Sequence, residues 1–313
     1  MPVQNYEYQI EQCDVAPAQR KSLKTYREFR QSCLDDLFGD SDASIANQLH
    51  ALAWHSAVFK TLNEARRLEP DRAVNGALWE LAACGYAVLM TVGIRKLMDD
   101  DKKSNSVLSL LIYVERHSTL VTRENFVCFD GLPYDYEAVQ QTAWQLSDWK
   151  NPGFNLSSTK GPQAWGTSEM MHKAFDALSG IDKKEDRTRT DEVQIELFNR
   201  LKRSLLDTNI ESVKKLVNKV IVHADRRAMG KEAFAGVTYN QIDEAFEKIV
   251  RVASFVSTLF ASGFGNVLAT PQFDVLENLN SSWASKPTIP LLQDYWDTLS
   301  TSMDSWTSGT LPE

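Results

Sequence analysis

Apolar residues recur at intervals of three and four positions through the first third of the chain, which is the spacing of helices with one buried face. We expect Gly39 to end the first helix, and Asp71, directly after Pro70, to cap the third. The pattern predicts four helices: residues 18–38, 44 to about 68, 71 to about 98, and a helix that opens with residues 107–114.

The same periodicity returns after residue 190. An apolar stripe between Val193 and Leu206 predicts one helix, and Thr208-Asn209-Ile210-Glu211 has the form of a capping box that starts the next. A second capping box, Thr238-Tyr239-Asn240-Gln241, predicts a helix that runs through Phe260. Near the end of the chain, Leu291 to Met303 predict one docking helix.

Residues 122–190 differ, because most of the turn chemistry of the chain lies there, including Asp130-Gly131. Two short helices fit inside this span, Tyr136–Trp149 and Ser168–Leu178. A small hairpin fits residues 126–136 around Asp130-Gly131. A loop-rich span of this length is typical of an insertion or a lid.

These elements predict an all-α protein whose helices pack antiparallel, with most of residues 18–122 and 191–261 helical. We expect one main domain in residues 1–262, with residues 123–190 as its loop-rich insertion. Residues 263–313 are acidic and contain three tryptophans, and they form a C-terminal extension.

Composition excludes several classes of protein. The net charge is −8 and the sequence pI is about 5.3, so any nucleic-acid binding must come from a local patch. The four cysteines lie far apart without metal-ligand spacing, which argues against a zinc site and suits the cytoplasm. No glycine-rich nucleotide loop is present, so we expect no cofactor. The uncharged run Leu81–Ile94 has the length of a buried core helix, so we expect no membrane partner.

One segment is basic, although the chain as a whole is acidic. Residues 200–231 contain nine Lys or Arg and three Asp or Glu, a local charge of +6. His223 lies within it, one helical turn beyond Lys219 and close in angle to Arg226. Such a histidine is either a general acid or base beside a polyanion, or a helix-end residue that meets the helix dipole and Asp225. We expect one continuous surface strip with His223 at its edge, formed by Lys214, Lys215, Lys219, Arg226 and Arg227.

Arg95 and Asp99 lie four residues apart at the end of the predicted third helix, so they can pair across one turn. Most such pairs are structural. A partly buried arginine beside a cleft can instead bind phosphate. Both interpretations stay open on these residues alone.

Two segments together resemble abortive-infection-type (AbiU-like) proteins of the HEPN superfamily. The first runs from Gly93 to Asp99 and continues into Ser106–Leu111, which matches an Arg-x-x-x-Asp helix end followed by a Ser- and Leu-rich helix. The second, Asn218 to Asp225, resembles a block with the pattern arginine, polar residue, about four residues, histidine. The resemblance covers roughly residues 44–262.

The resemblance implies a HEPN-like helical bundle that dimerises with its two motifs facing each other. In active members this arrangement is a metal-independent ribonuclease. His223 then matches the family histidine and Asn218 the polar position, while the family arginine falls on Val217, which cannot donate to phosphate. Either Lys219, Arg226 or Arg95 supplies the cation instead, or the fold serves binding alone.

Two functional hypotheses follow. The first is an RNA-binding protein or ribonuclease in a defence or toxin–antitoxin setting, with a degenerate site in which His223, Asn218 and Lys219 are catalytic. Arg95, Asp99 and Arg226 then bind substrate, and no metal is needed. The second is a catalytically inert helical module that binds a protein, such as an antitoxin.

A homodimer is also expected from the helix Ile210–Val222, whose apolar residues spread over nearly two faces. One face would then pack in its own bundle and the other on a second copy. The alternative is that the central insertion or the tryptophan-containing tail covers the second face in cis.

Overall fold

The computed structural model describes residues 6–70, 75–146, 158–218, 237–260, 267–268, 274, 276–277, 281 and 286–306. These residues form an all-α structure, as the sequence predicts. The helices are α1 Arg20–Phe38, α2 Ile45–Leu68, α3 Gly76–Leu97, α4 Val107–Arg116, α5 Arg123–Cys128, α6 Tyr136–Leu146, α7 Trp165–Ser179, α8 Ile195–Leu205, α9 Thr208–Leu216, α10 Tyr239–Thr258 and α11 Ile289–Trp306.

The chain divides into two compact units, Met1–Thr270 and Pro271–Glu313. The first unit holds the hydrophobic core, to which α1 to α5 and α7 to α10 all contribute. In the second unit, α11 carries a stripe of exposed apolar side chains, and none of the described residues there is buried. The boundary that the sequence places after residue 262 stays a prediction.

The helix ends follow local chemistry. Gly39 caps the end of α1, as predicted, and α2 begins one residue after its predicted start, because Ser44 is its N-cap. Thr238 forms the predicted capping box with Gln241, and both of its reciprocal hydrogen bonds are present. The predicted cap at Asp71 lies outside the described residues, and α3 instead begins after Asn75, whose side chain accepts a hydrogen bond from the N–H of Leu78.

The predicted hairpin at residues 126–136 is wrong. Residues 123–128 form α5, because Thr122 caps a helix by accepting the N–H of Asn125. Every residue of α5 is buried, and Phe126 packs against Phe175 of α7. The central part of the chain therefore contributes α5 and α7 to the core of the first unit.

Helix α3 packs against several other helices of the first unit. It is joined to α2 by a short connection and packs along it, so the two helices run antiparallel, and it also contacts α9 and α10. Tyr86, Met90, Ile94 and Leu97 form its buried face. The expectation of a core helix is wrong for the rest of its surface, since only 22% of its most apolar window is buried. By length and composition alone, α3 is also the one described helix that could cross a membrane.

A buried guanidinium joins the central part of the chain to the bundle. Arg123 is fully buried, with Nε 2.7 Å from Asp191 Oδ2 and Nη1 2.9 Å from Asp176 Oδ1. It also donates to the carbonyl of His172 and to the hydroxyl of Ser179, each at 3.2 Å. One side chain thereby fixes α5 against α7 and against the segment that leads into α8.

The partners of Arg123 are matched to it in charge. Burial by itself would raise the pKa of Asp191, but hydrogen bonds from Thr188 and Arg123 outweigh burial and lower that pKa. Asp176 also accepts from Arg187, whose Nε lies 3.0 Å from its Oδ1. The network therefore keeps charged groups paired inside the protein, and it depends on every member being present.

Replacing Arg123 by methionine should destabilise the protein by about 3–5 kcal/mol, because Asp191 and Asp176 would lose their buried partner. Urea unfolding followed by circular dichroism measures the loss. The matched control is Arg251→Met, which removes an exposed ion pair with Glu247 and should cost less than about 1 kcal/mol. Equal losses for the two variants would contradict a central role for Arg123.

Candidate functional site

The first block of the site lies where α3 ends. Arg95 occupies the last turn of α3, and Asp99 follows in the connection to α4. Arg95 Nη1 lies 3.5 Å from Asp99 Oδ2, which confirms that the two side chains pair across one turn. Both side chains are about one third exposed, so the pair lies at the surface, where it can be reached by a ligand.

The connection to α4 holds Asp99 in place. The N–H of Asp101 donates to Asp99 Oδ1 at 3.1 Å, and the hydroxyl of Ser106 donates to the Asp99 carbonyl. The pKa of Asp99 is lowered, first by the Asp101 N–H and then by Arg95. Ser106 also caps α4 through the N–H of Ser109. The carboxylate therefore stays charged and anchors the guanidinium of Arg95.

The second block of the site, which begins at Asn218, follows α9. Polar contacts with α10 fix the position of α9. The predicted capping box at Thr208 is wrong, because Asp207 is the N-cap and accepts the N–H of Asn209 at 2.9 Å, and Thr208 is the first residue of α9. Asp207 also pairs with Lys248 of α10 at 2.7 Å, and Asn209 donates to Glu244 at 2.7 Å. These bonds fix α9 on α10, and α9 also packs against α3.

The two blocks meet at one hydrogen bond. Arg95 Nε donates to Asn218 Oδ1 at 3.3 Å, although 123 positions separate these residues in the sequence. Asn218 is exposed and comes two residues after the end of α9. Arg95, Asp99 and Asn218 therefore form a continuous cluster, which we call the Arg95 cluster.

Val217 lies at the position that the resemblance assigns to the family arginine. It follows α9 directly, and its side chain is 1% exposed. An arginine at this position would place its charge in the core without a counter-ion. At the neighbouring Asn218, the guanidinium comes from Arg95 of α3.

Three of the catalytic and substrate-binding residues that the sequence predicts, His223, Lys219 and Arg226, lie outside the described residues. The prediction that they surround the cluster is therefore untested. Arg95, Asp99 and Asn218 are the predicted site residues that the structure brings together.

The basic segment is partly neutralised where it is described. Lys202 pairs with Glu115 at 2.6 Å, and Lys214 pairs with Glu211 at 3.0 Å. Arg203 pairs with Glu196 on its own helix. Of the surface strip expected from the sequence, Lys214 has a carboxylate partner and Lys215 is exposed, while the members beyond residue 218 are not described.

Comparison with known families decides the relationship. The HEPN_AbiU2 family model, described as AbiU2, matches residues 41–299. The chain belongs to the AbiU2 family of HEPN proteins. The match includes the whole Arg95 cluster, and it extends beyond the expected residue 262 into α11. Searches of curated proteins and of solved structures found no match.

This AbiU2-family chain shows no group of three or more His, Cys, Asp or Glu placed to hold a metal ion, among the residues that the structure describes. Its cluster instead offers one cation, one carboxylate and one amide. Such a set suits the recognition of an anion, for which the guanidinium supplies charge and the amide supplies a further donor.

Sequence reasoning missed one feature of the site. The family resemblance assigns Arg95 and Asn218 to the same site, but no local pattern predicts the hydrogen bond between them. The burial of Val217 agrees with the sequence, in which Val217 shares one face of a helical wheel with Val213 and Leu216.

Restoring the family arginine by Val217→Arg should therefore destabilise the protein by about 2 kcal/mol or more, because the new charge would be buried without a partner. Thermal or urea unfolding measures this effect. Lys215→Arg, at an exposed neighbouring position, is the control and should change stability by less than about 0.5 kcal/mol. A stable Val217→Arg variant would show that position 217 can face solvent.

Proposed function

We propose that this HEPN-type, abortive-infection-like protein binds RNA through the Arg95 cluster and His223, and that it acts in a defence or toxin–antitoxin setting. We further propose that it is cytoplasmic and works as a homodimer. Its site is degenerate at Val217, and Arg95 replaces the missing arginine as the phosphate-binding cation.

The hydrogen bond between Arg95 and Asn218 carries this proposal. It joins the guanidinium of Arg95 to Asn218, which the resemblance matches to the polar position of the family motif and which comes five positions before His223 in the sequence. A guanidinium has five N–H donors, more than its contacts with Asn218 and Asp99 use within the described part of the chain. The remaining donors can bind the two oxygens of a phosphate in a bidentate geometry.

Asp99 sets the strength of that interaction. Its carboxylate already neutralises part of the charge on Arg95, so the cluster attracts a phosphate less than an isolated arginine would. The same carboxylate limits the motion of the guanidinium and reduces the entropy that is lost on binding. We therefore expect contacts from Lys219 and Arg226 to contribute to affinity as well.

The chemistry of cleavage, where it occurs, follows from the residue types. His223 in its neutral form accepts the proton of the RNA 2′-hydroxyl, and that oxygen attacks the adjacent phosphorus. Arg95 then stabilises the added charge on the phosphorane. The bond between phosphorus and the 5′-oxygen breaks, the 5′-oxygen takes the proton back from the His223 imidazolium, and a 2′,3′-cyclic phosphate remains. Each step uses protein groups alone.

A second function, a catalytically inert interaction module, is favoured by the ion pairs of the basic segment. Lys202 and Lys214 already have carboxylate partners, so RNA gains little from them. In this case the cluster would be structural, and a protein such as an antitoxin would be the partner.

RNA binding by the cluster is tested with Arg95→Gln in a fluorescence titration against a labelled single-stranded RNA. We expect at least a tenfold loss of affinity, since a charge-assisted hydrogen bond contributes about 1.5–3 kcal/mol. The slope of log affinity against log salt should fall by about 0.7 for each lost phosphate contact. Arg203→Gln, which removes an exposed and paired arginine, is the control and should change neither quantity. Equal affinity of Arg95→Gln and the wild type would contradict the proposal.

Cleavage is tested separately by incubating the wild type and His223→Ala with pooled structured and unstructured RNAs in EDTA. We expect the wild type to release products with 2′,3′-cyclic phosphate ends, and His223→Ala to release none. Circular dichroism melting should show that both proteins are folded. Equal cleavage by both proteins, or by neither, would exclude catalysis by His223 and leave RNA binding as the function to be judged from the titration.

A further inference from the structure

A polar groove lies between α1, α4 and the connection that joins α3 to α4. Its volume is about 400 Å³, which falls in the range of roughly 300–1,000 Å³ that is usual for small-molecule sites. Ser32 and Asp36 line it from α1. Ser109, Tyr113 and Arg116, spaced by four and three residues, line it from one face of α4. The cavity can hold a ligand of the size of one nucleotide, and we call it the α4 groove.

The α4 groove is basic, although the chain as a whole is acidic. Lys102, Lys103 and Arg116 line it, and all three are exposed. The carboxylates of its lining are Asp36 and Asp100, so three cations minus two carboxylates leave a net charge of +1, against −8 for the chain. Within the described part of the chain, none of the three cations forms an ion pair. Their charge is therefore available to an anionic ligand.

The connection that carries the two lysines is held in place by its own polar groups. Asp101 Oδ1 accepts the N–H of Lys103 at 3.0 Å, and the N–H of Asp101 donates to Asp99 Oδ1 at 3.1 Å. The N–H of Ser104 donates to the Asp101 carbonyl at 2.8 Å. A backbone that is already fixed in this way loses little entropy when a ligand binds to it.

The same connection joins the α4 groove to the Arg95 cluster. Asp99 belongs to the cluster, and the next residue, Asp100, lines the groove. Ser104 also lines the groove, and its side chain lies close enough to the Asp99 carboxylate to lower its pKa, after the larger effect of the Asp101 N–H. An extended strand that contacts Arg95 can therefore continue into the groove.

The remaining lining suits an unpaired base. The ring of Tyr113 is held by the rings of His117 and Phe29, with centroid distances of 4.4 and 5.4 Å, so it offers a fixed surface on which a base can pack. The amide of Asn105 and the hydroxyl of Ser109 have no hydrogen-bond partner within the described part of the chain, and both can bond to the edge of a base or to a ribose hydroxyl. Such contacts require an unstacked base, which single-stranded RNA provides and a duplex does not.

We propose that the α4 groove binds one nucleotide of the single-stranded RNA that the Arg95 cluster contacts. This inference rests on the RNA binding in the proposed function and names a second binding site for the same strand. Lys102, Lys103 and Arg116 bind its phosphates, and the base packs against Tyr113. Arg116 follows Ser109 by seven residues, or roughly 10 Å along α4, so the cations at the two ends of the groove contact different phosphates.

The phosphate contacts are tested with Lys103→Gln and Arg116→Gln in a fluorescence titration of the full chain against a labelled single-stranded RNA. Each variant should lose at least about fivefold in affinity, because it removes a charge-assisted hydrogen bond. The slope of log affinity against log salt should fall by about 0.7 for each lost phosphate contact. The control is Lys21→Gln, which removes an exposed charge roughly 16 Å along α1 from Ser32 and should change neither quantity.

A variant that strengthens binding complements these losses. Asp36→Asn removes a negative charge from the groove, so RNA affinity should rise about twofold or more. The pKa of Asp36 is raised by burial and by Asp35, with no cation that lowers it, so the substitution breaks no ion pair. Asp35→Asn makes the same change at the next residue, outside the lining of the groove, and should leave the affinity unchanged. Partial unfolding cannot produce a gain of affinity.

Unchanged RNA affinity in Lys103→Gln, Arg116→Gln and Asp36→Asn, together with a loss in Arg95→Gln, would overturn the α4 groove and leave the proposed RNA binding intact. The opposite pattern would support the groove and overturn the Arg95 cluster. A wild type that binds no RNA would overturn both. Uridine 5′-monophosphate should not displace the RNA at concentrations near the Kd of the RNA. Displacement at such concentrations would assign the groove to a free nucleotide and overturn the inference.

Discussion

The buried guanidinium of Arg123 is the interaction on which the arrangement of the first unit depends. A charged side chain in the core is tolerated only when its hydrogen-bond donors have acceptors and its charge has a counter-ion. Asp176 and Asp191 provide the counter-ions for Arg123, and the His172 carbonyl and the Ser179 hydroxyl accept two further hydrogen bonds. Because these partners come from α7 and from the segment before α8, the match can form in only one arrangement of the chain. The charged network therefore specifies how the central residues return to the bundle.

Helix α3 must satisfy two environments at once. One side, with Met90 and Ile94, fills the core, and its last turn presents Arg95 to solvent. The opposite side remains apolar but exposed. Mean hydropathy alone does not tell whether such a helix spans a membrane or packs in a helical bundle. The mean hydropathy of α3 is high enough for a membrane span, whereas its contacts are those of a partly buried helix in a bundle. The three-dimensional neighbours decide which of its sides is covered.

Two neighbouring residues at the end of α9 have different environments. Val217 is 1% exposed and belongs to the core. Asn218 lies at the surface, and α3 brings Arg95 to it. A guanidinium reaches about as far as the spacing between packed helices, so an arginine of one helix can contact a residue that follows another.

The sequence by itself determined the all-α class, most helix bounds and the pairing of Arg95 with Asp99, because each depends on residues within a few positions of one another. It also identified the HEPN family through two short blocks. It failed at α5, where the turn signal of Asp130-Gly131 suggested a hairpin although Thr122 capped a helix just before it. Only the tertiary structure decided the Arg95–Asn218 contact, the buried Arg123 network and the exposure of the apolar side of α3. The physical reason is that each of these three features depends on which distant segments of the chain become neighbours. Helical periodicity indicates that one side of a helix is apolar, but it does not indicate which part of the protein covers that side.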